Sequence, residues 1–302
     1  MGTLPPKTSF YLFNTSVRPI LTYGSDVWGV YKSGRDMVDK QFLQFLKHTL
    51  GVKQSTSSLF VYGEAGQFPP SIDCIYNTLC FLNRIIYMDR KTLIRQVYDE
   101  LNVLQDCGFQ TWSGKAWELM HTYSLLSDPN HKSFKKLAKS VLNSKFIQEW
   151  STDVANIHEN PIARTYSLFK HTFGMEAYLH KVSNFKYRQA ITKLRTSSHD
   201  LMIERGRHCL KKMTIVERVC VCPNCKLIED EIHFLISCSL YSNERNTMYK
   251  DIEIDKNIID RADSVEIFHF LMTLKHQSHL EKLGEFIYSA FNKRKQITYS
   301  QS

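Results

Sequence analysis

Between Cys222 and Cys238 the sequence reads C-x2-C-x7-H-x4-C, with Pro223 and Asn224 between the first two cysteines. No other stretch of the chain restricts its fold so sharply. Two thiols on one tight turn, then an imidazole and a third thiol, form the donor set of a closed tetrahedral zinc site. Cys222, Cys225, His233 and Cys238 are therefore the expected ligands of one structural Zn2+. With all four positions filled, none stays open for a reacting water, so the site reads as structural and not catalytic. Cys220 is a competing ligand and Cys209 a more remote one. Metal affinity of this type contributes roughly 10–16 kcal/mol to local folding. The segment has little core of its own and is expected to be disordered without metal. The bland alternative is a set of unrelated reduced side chains.

Five of the eight cysteines lie between 209 and 238. A secreted disulfide scaffold is shorter and more evenly studded, so the clustering points to metal in a reducing compartment. Cys74, Cys80 and Cys107 read as buried apolar thiols. No apolar run approaches the ~20 residues of a membrane span. The start, Met1-Gly2-Thr3-Leu4-Pro5-Pro6, is not that of a signal peptide. The expected location is intracellular, nucleus and cytoplasm, without a membrane partner.

The net charge is +9, which suggests a polyanionic partner. The charge is local. Lys181 to Arg218 holds ten basic and three acidic residues, net +7, while Val219 to Asp263 is net −4 with five basic against nine acidic. Lys and Arg neutralise phosphates, and aromatic or guanidinium planes stack on bases. Arg195, Arg205, Arg207, Lys211, Lys212 and Arg218 are the expected phosphate contacts, and His199 is a candidate stacking residue. A solvated helix face is the plain alternative, as is an ion pair between Glu204 and Arg207.

The remaining pattern is mainly α. Phe10, Phe13, Val17, Ile20 and Leu21 keep helical spacing, with a kink or break expected at Pro19. A second helix is expected before Gly51, and a third opens at Pro69-Pro70 with Ile72, Ile75, Leu79 and Leu82 on one face. Residues 91–180 look helical but carry no motif. A short β ribbon is expected at Arg218–Val221, then a helix starting at Glu229-Asp230-Glu231, where the dipole favours acids. His233 faces the metal from that helix, with Cys238 at or past its end. Asp263 with Glu266 forms a capping box for one long amphipathic helix, or two, ending near Lys293-Arg294-Lys295. Its apolar stripe reads as core. The expected organisation is a helical region over 1–105, a helical linker over 106–180, the basic segment with its CCHC zinc module over 181–263, and a C-terminal helix over 264–302.

The chain has no Asp-Asp pair, no Gly-rich phosphate loop, no His-Glu-x-x-His and no Gly-x-Ser-x-Gly. Two-metal polymerases and nucleases need close carboxylates, so the chain alone is expected to be catalytically inert.

Several motifs resemble those of LINE-type, non-LTR retrotransposon reverse transcriptases. Arg18-Pro19-Ile20-Leu21-Thr22-Tyr23-Gly24 through Trp28-Gly29 is similar to the segment just downstream of their polymerase palm. Val61-Tyr62-Gly63-Glu64-Ala65-Gly66 then Pro69 is similar to their Tyr-Gly-Glu-Leu-Gly…Pro element, with Ala65 departing from Leu. Leu194-Arg195, His199-Asp200-Leu201 and Ile203-Glu204-Arg205-Gly206-Arg207 are similar to the element before their cysteine–histidine motif, which follows here over 217–245. The match covers roughly 8–105 and 185–246. The resemblance implies a thumb-like and linker region, then a CCHC module that holds template RNA or target DNA during target-primed reverse transcription. It implies RNA and/or DNA as partners, together with the polymerase and endonuclease portion of a parent protein; the catalytic palm is absent from this sequence. It also implies thumb-core roles for Tyr23 and Trp28. A zinc-stabilised protein–protein adaptor acting through the 264–294 helix and a non-functional transposon relic are the alternatives.

Overall fold

The computed structural model describes residues 4–209, 211–254 and 261–300. Met1–Thr3, part of the segment read for a signal sequence, lie outside the described residues. The helices are α1 (Pro6–Leu12), α2 (Arg18–Leu21), α3 (Ser25–Trp28), α4 (Lys32–Leu50), α5 (Ser58–Ala65), α6 (Pro70–Ile86), α7 (Leu93–Asp106), α8 (Trp112–Thr122) and α9 (His131–Ala155). They continue with α10 (Tyr178–Lys181), α11 (Phe185–Arg195), α12 (Met202–His208), α13 (Ser242–Asp251), α14 (Ser264–Met272) and α15 (Gln277–Ser300). Among the described residues the β structure is a single antiparallel bridge, Val219 with Ile228. The protein is mainly helical.

The chain divides into two compact units that interleave along the sequence. The main unit is Met1–Ser9, Leu46–Gly66 and Ser151–Ser302, and the inserted unit is Phe10–Phe45 and Gln67–Trp150. These differ from contiguous segments over 1–105, 106–180, 181–263 and 264–302 because buried long-range pairs, described below, tie Leu46–Gly66 to residues beyond 170.

In the inserted unit the break at Pro19 takes the form of a π turn, Phe13–Val17, placed just before it. Proline has no N–H to donate, and the Arg18 N–H reaches back five residues to the Phe13 carbonyl. Pro69 caps α6 and Pro70 is its first residue, where a missing N–H costs nothing. Ile72, Ile75, Leu79 and Leu82 are buried in one core with Met120 of α8 and Phe134, Ala138 and Leu142 of α9. α3 closes on α6 at Gly29, where a Cβ would lie 2.6 Å from Thr78 Oγ1 and 2.7 Å from the Cys74 carbonyl. Asp73 joins three helices: Arg18 Nε lies 2.5 Å away and Lys139 Nζ 2.6 Å away. Tyr23 departs from its expected place in the core. It stands 86% exposed, because the α2–α3 turn carries it outward, while its carbonyl accepts from the half-buried Trp28 Nε1 at 2.8 Å.

In the main unit, α11 packs along α15. Leu280, Leu283, Ile287 and Ala290 are buried on one side of α15, as are Ile191 and Leu194 of α11. The expected capping box is present: Asp263 accepts from the Glu266 N–H at 2.7 Å and Glu266 accepts from the Asp263 N–H at 3.1 Å. The amphipathic stretch is two helices, α14 and α15, and its stripe is core.

A buried ionic cluster fixes Leu46–Gly66 within this unit. Glu64 is fully buried; Arg195 donates Nε to its Oε2 at 2.8 Å and Nη2 to its Oε1 at 3.0 Å. The Tyr178 hydroxyl donates to Glu64 at 2.7 Å, and the Glu176 N–H donates to the Glu64 carbonyl at 3.0 Å. Gly66, at φ +60, ends α5 where a Cβ would come within 2.0 Å of the Met175 nitrogen, so only glycine fits.

Candidate metal centre

The cysteine-rich segment folds as a short clamp followed by a widened helical turn. The Cys220 N–H donates to the Leu227 carbonyl at 2.9 Å, and the Glu229 N–H to the Arg218 carbonyl at 2.9 Å. These bonds close a loop that carries Cys222-Pro223-Asn224-Cys225. Inside it the Cys225 N–H donates to the Cys222 carbonyl at 3.1 Å, and the Cys222 N–H points at Cys220 Sγ at 3.4 Å. After the loop, the Asp230 carboxylate accepts from the His233 N–H at 2.7 Å and caps the helical turn.

That turn is a π turn over His233–Ser237, closed by the Cys238 N–H donating to the His233 carbonyl at 2.8 Å. Residues five apart are about 140° out of phase on an ideal α-helix. The wider π turn brings His233 and Cys238 back toward one side, and Cys238 falls just past its end as expected.

Cys220, Cys225, His233 and Cys238 come together with their ligand atoms all within 4.8 Å of one another. Cys238 Sγ lies 3.7 Å from Cys220 Sγ and 3.8 Å from Cys225 Sγ. His233 Nδ1 lies 3.0 Å from the Ser237 hydroxyl, and Nε2 is buried without a hydrogen-bond partner. The neighbouring Cys220 thiol, together with burial, pushes the Cys238 thiol far above its ordinary value. A bound cation reverses that cost by stabilising the thiolates. These four residues could hold one metal ion.

This set differs from the expected one at a single position. Cys220 stands where Cys222 was expected, and the competing ligand is the one gathered. Cys222 is buried, but its Sγ faces the Ser239 hydroxyl at 3.4 Å, which also lies 3.3 Å from Cys225 Sγ. The bridge between Val219 and Ile228 is the reason, since it draws Cys220 into the base of the clamp. Replacing Cys220 by serine is expected to abolish metal binding. Cys222→Ser is expected to keep one metal per chain with affinity within about a hundredfold, the upper end of what a partner outside the ligand set costs. Elemental analysis and competition with a chromogenic chelator measure both.

The acidic run behind the site is structural. Glu229 is buried and held by Arg294 at 2.8 and 2.6 Å, and it accepts from the Met202 N–H at 2.7 Å. Glu231 takes Ser197 Oγ and His199 Nε2 at 3.0 Å each, and Arg164 Nη2 at 2.7 Å. Burial pushes Glu231 up, but His199 and Arg164 override it and hold the carboxyl at about 2. Phe234 stacks on Phe291 of α15 at 4.9 Å between centroids.

The basic segment divides between buried and exposed cations. Arg195, 3% exposed, is committed to Glu64 and Glu176. His199 is buried against Glu231 and offers no face to a base. Arg218 is buried and gives its donors to the Ile203 and Met213 carbonyls. These three are corrected from nucleic-acid contacts to structural residues, because each is buried and spends its donors on protein acceptors, Glu64 and Glu176 for Arg195, Glu231 for His199 and backbone carbonyls for Arg218. Arg205, Lys211 and Lys212 are exposed. Arg207 is half-buried, 3.7 Å from Glu204, so the ion-pair alternative holds for it.

No described helix is both long and apolar enough to cross a membrane. No protein-family model, curated protein or solved structure matches this chain.

Proposed function

We propose that the chain is a nucleic-acid-binding portion of a LINE-type reverse transcriptase, built around a single structural zinc held by Cys220, Cys225, His233 and Cys238. The observation that carries the reading is the closeness in sequence of this donor set to three exposed cations, Arg205, Lys211 and Lys212. A tetrahedron with arms of about 2.3 Å has edges of about 3.8 Å, and the two sulfur–sulfur separations at Cys238 are 3.7 and 3.8 Å. Three thiols and one imidazole suit zinc better than calcium or magnesium, which take oxygen. The family reading is supported by the order of motifs along the chain and by the buried pair that joins Glu64 of one motif to Arg195 of another. The partners on this reading are RNA and/or DNA, with the polymerase portion supplying chemistry. The zinc module positions; Arg205, Lys211 and Lys212 neutralise phosphates.

The test is salt dependence. Log affinity for a single-stranded RNA should fall linearly with log salt, by about 0.7 per phosphate neutralised. Arg205→Ala/Lys211→Ala/Lys212→Ala should make that slope shallower by about 2 and leave the bound metal in place. A flat salt response in the parent chain contradicts the reading.

A further inference from the structure

The inserted unit holds a cleft of about 260 Å³ bounded by the α2–α3 turn, α6 and the start of α9. Its polar lining includes Ser25, Asn77, Arg84, His131 and Lys135. Arg84 and Lys135 are exposed at its mouth, and neither has a carboxylate partner among the described residues. Arg84 lies over the Phe81 ring, 5.1 Å from its centroid, which holds the guanidinium in place. Asp26 is the one carboxylate in the lining. Asn77 is oriented by donating to Ser25 Oγ at 2.9 Å. Burial pushes His131 below its ordinary value, and the positive field of Lys135 and Arg84 adds to that.

The helix above the cleft strengthens that field. Residues 131–148 of α9 contain five lysines, Lys132, Lys135, Lys136, Lys139 and Lys145, and no acid. Asp73 compensates Lys139; Lys132, Lys135 and Lys136 are exposed. A concave polar wall, two uncompensated cations at its mouth and a cationic helix beside it match the chemistry of a phosphate group better than that of a neutral metabolite or a metal cation.

We propose that this cleft seats a backbone phosphate of a nucleic-acid strand between Arg84 and Lys135, as a second contact in a different unit from Arg205–Lys212. The identity of the ligand rests on the nucleic-acid reading above. On that view the inserted unit is a binding element in its own right, and its contribution to affinity is separable from that of the zinc-bearing unit.

The experiment titrates a fluorescein-labelled oligouridylate against the full zinc-loaded chain at several salt concentrations, read by anisotropy. Arg84→Ala/Lys135→Ala should bind at least tenfold more weakly at 50 mM salt, with a log–log slope shallower by about 0.7 to 1.4. Lys40→Ala/Lys91→Ala removes two exposed lysines from the same unit outside the cleft and should change affinity less than twofold. Arg84→Lys should stay within about threefold of the parent, since a point charge still serves a phosphate. Thermal unfolding of each variant confirms an unchanged fold. Equal effects of the cleft and control pairs overturn the proposal while leaving the nucleic-acid reading intact, provided the Arg205/Lys211/Lys212 variant still weakens binding. No binding by the parent chain overturns both.

Discussion

Stripping the metal with a strong chelator should release the 219–238 segment from its folded state while the inserted unit keeps its structure. Hydrogen exchange followed by mass spectrometry reads this directly. Protection at Cys220, Cys225 and Cys238 should collapse, and protection in α6 and α9 should not change. With zinc at a thousand times its Kd, the folded state gains about 4 kcal/mol over the metal-free chain. The metal-free state also leaves two buried thiols, the half-buried Cys225 thiol and one unpartnered imidazole nitrogen packed together with nothing to neutralise them. Cys225→Ser and Cys238→Ser should reproduce the chelated state. Total disorder of the segment, expected from its sequence, is too strong a forecast. Phe234 on Phe291 and Glu229 on Arg294 anchor it to α15 independently of the metal, so residues 229–235 should retain partial protection.

The second large effect concerns the buried pair of Glu64 and Arg195. Arg195→Ala should destabilise the main unit by about 3–5 kcal/mol, because it leaves a fully buried carboxylate without its cation. Urea denaturation, read as a fall in midpoint without a change in slope, measures this. Arg195→Lys should rescue little, since an ammonium cannot span both carboxylate oxygens as the guanidinium does. Burial pushes Glu64 up, yet Arg195, Lys170 and the Tyr178 hydroxyl override it and hold the carboxyl below its usual range. The sign of the pH dependence follows. The unfolded carboxyl titrates near its ordinary value of 4.5, so the stabilisation is complete above that pH and is lost as pH falls through the depressed folded value. Glu64→Gln should be less stable at neutral pH and should show a flatter acid limb than the parent. An acid limb unchanged by Glu64→Gln contradicts this assignment.

Features set by local chemistry were legible in the sequence. Pro70 at the start of α6, Gly51 after α4 and the Asp263–Glu266 box each depend on residues within one turn, and the heptad-like stripe of α15 needs only its own spacing. The partners of charged residues were not legible. Arg195 looked like a phosphate contact because a cation in a basic run carries no sign of a carboxylate 131 positions earlier in the chain. The same holds for His199, whose carboxylate partner lies 32 positions on, while Arg218 is taken up by backbone carbonyls that no side-chain pattern announces. The choice between Cys220 and Cys222 was set by which thiol the Val219–Ile228 bridge draws inward, and spacing alone favoured the tighter C-x2-C pair. The run of five lysines and no acid over residues 131–148 is plain in the sequence, but without the cleft beside Arg84 it reads only as a solvated face.

X-ray absorption at the zinc edge, on the chain purified with its metal, tests the central claim most directly. One zinc per chain is predicted, with three sulfurs at about 2.3 Å and one nitrogen at about 2.0–2.1 Å. The same shell should persist in Cys222→Ser, and Cys220→Ser should not hold the metal. A metal-free protein, an oxygen-rich shell, or a shell that loses sulfur in Cys222→Ser while surviving in Cys220→Ser would contradict the account.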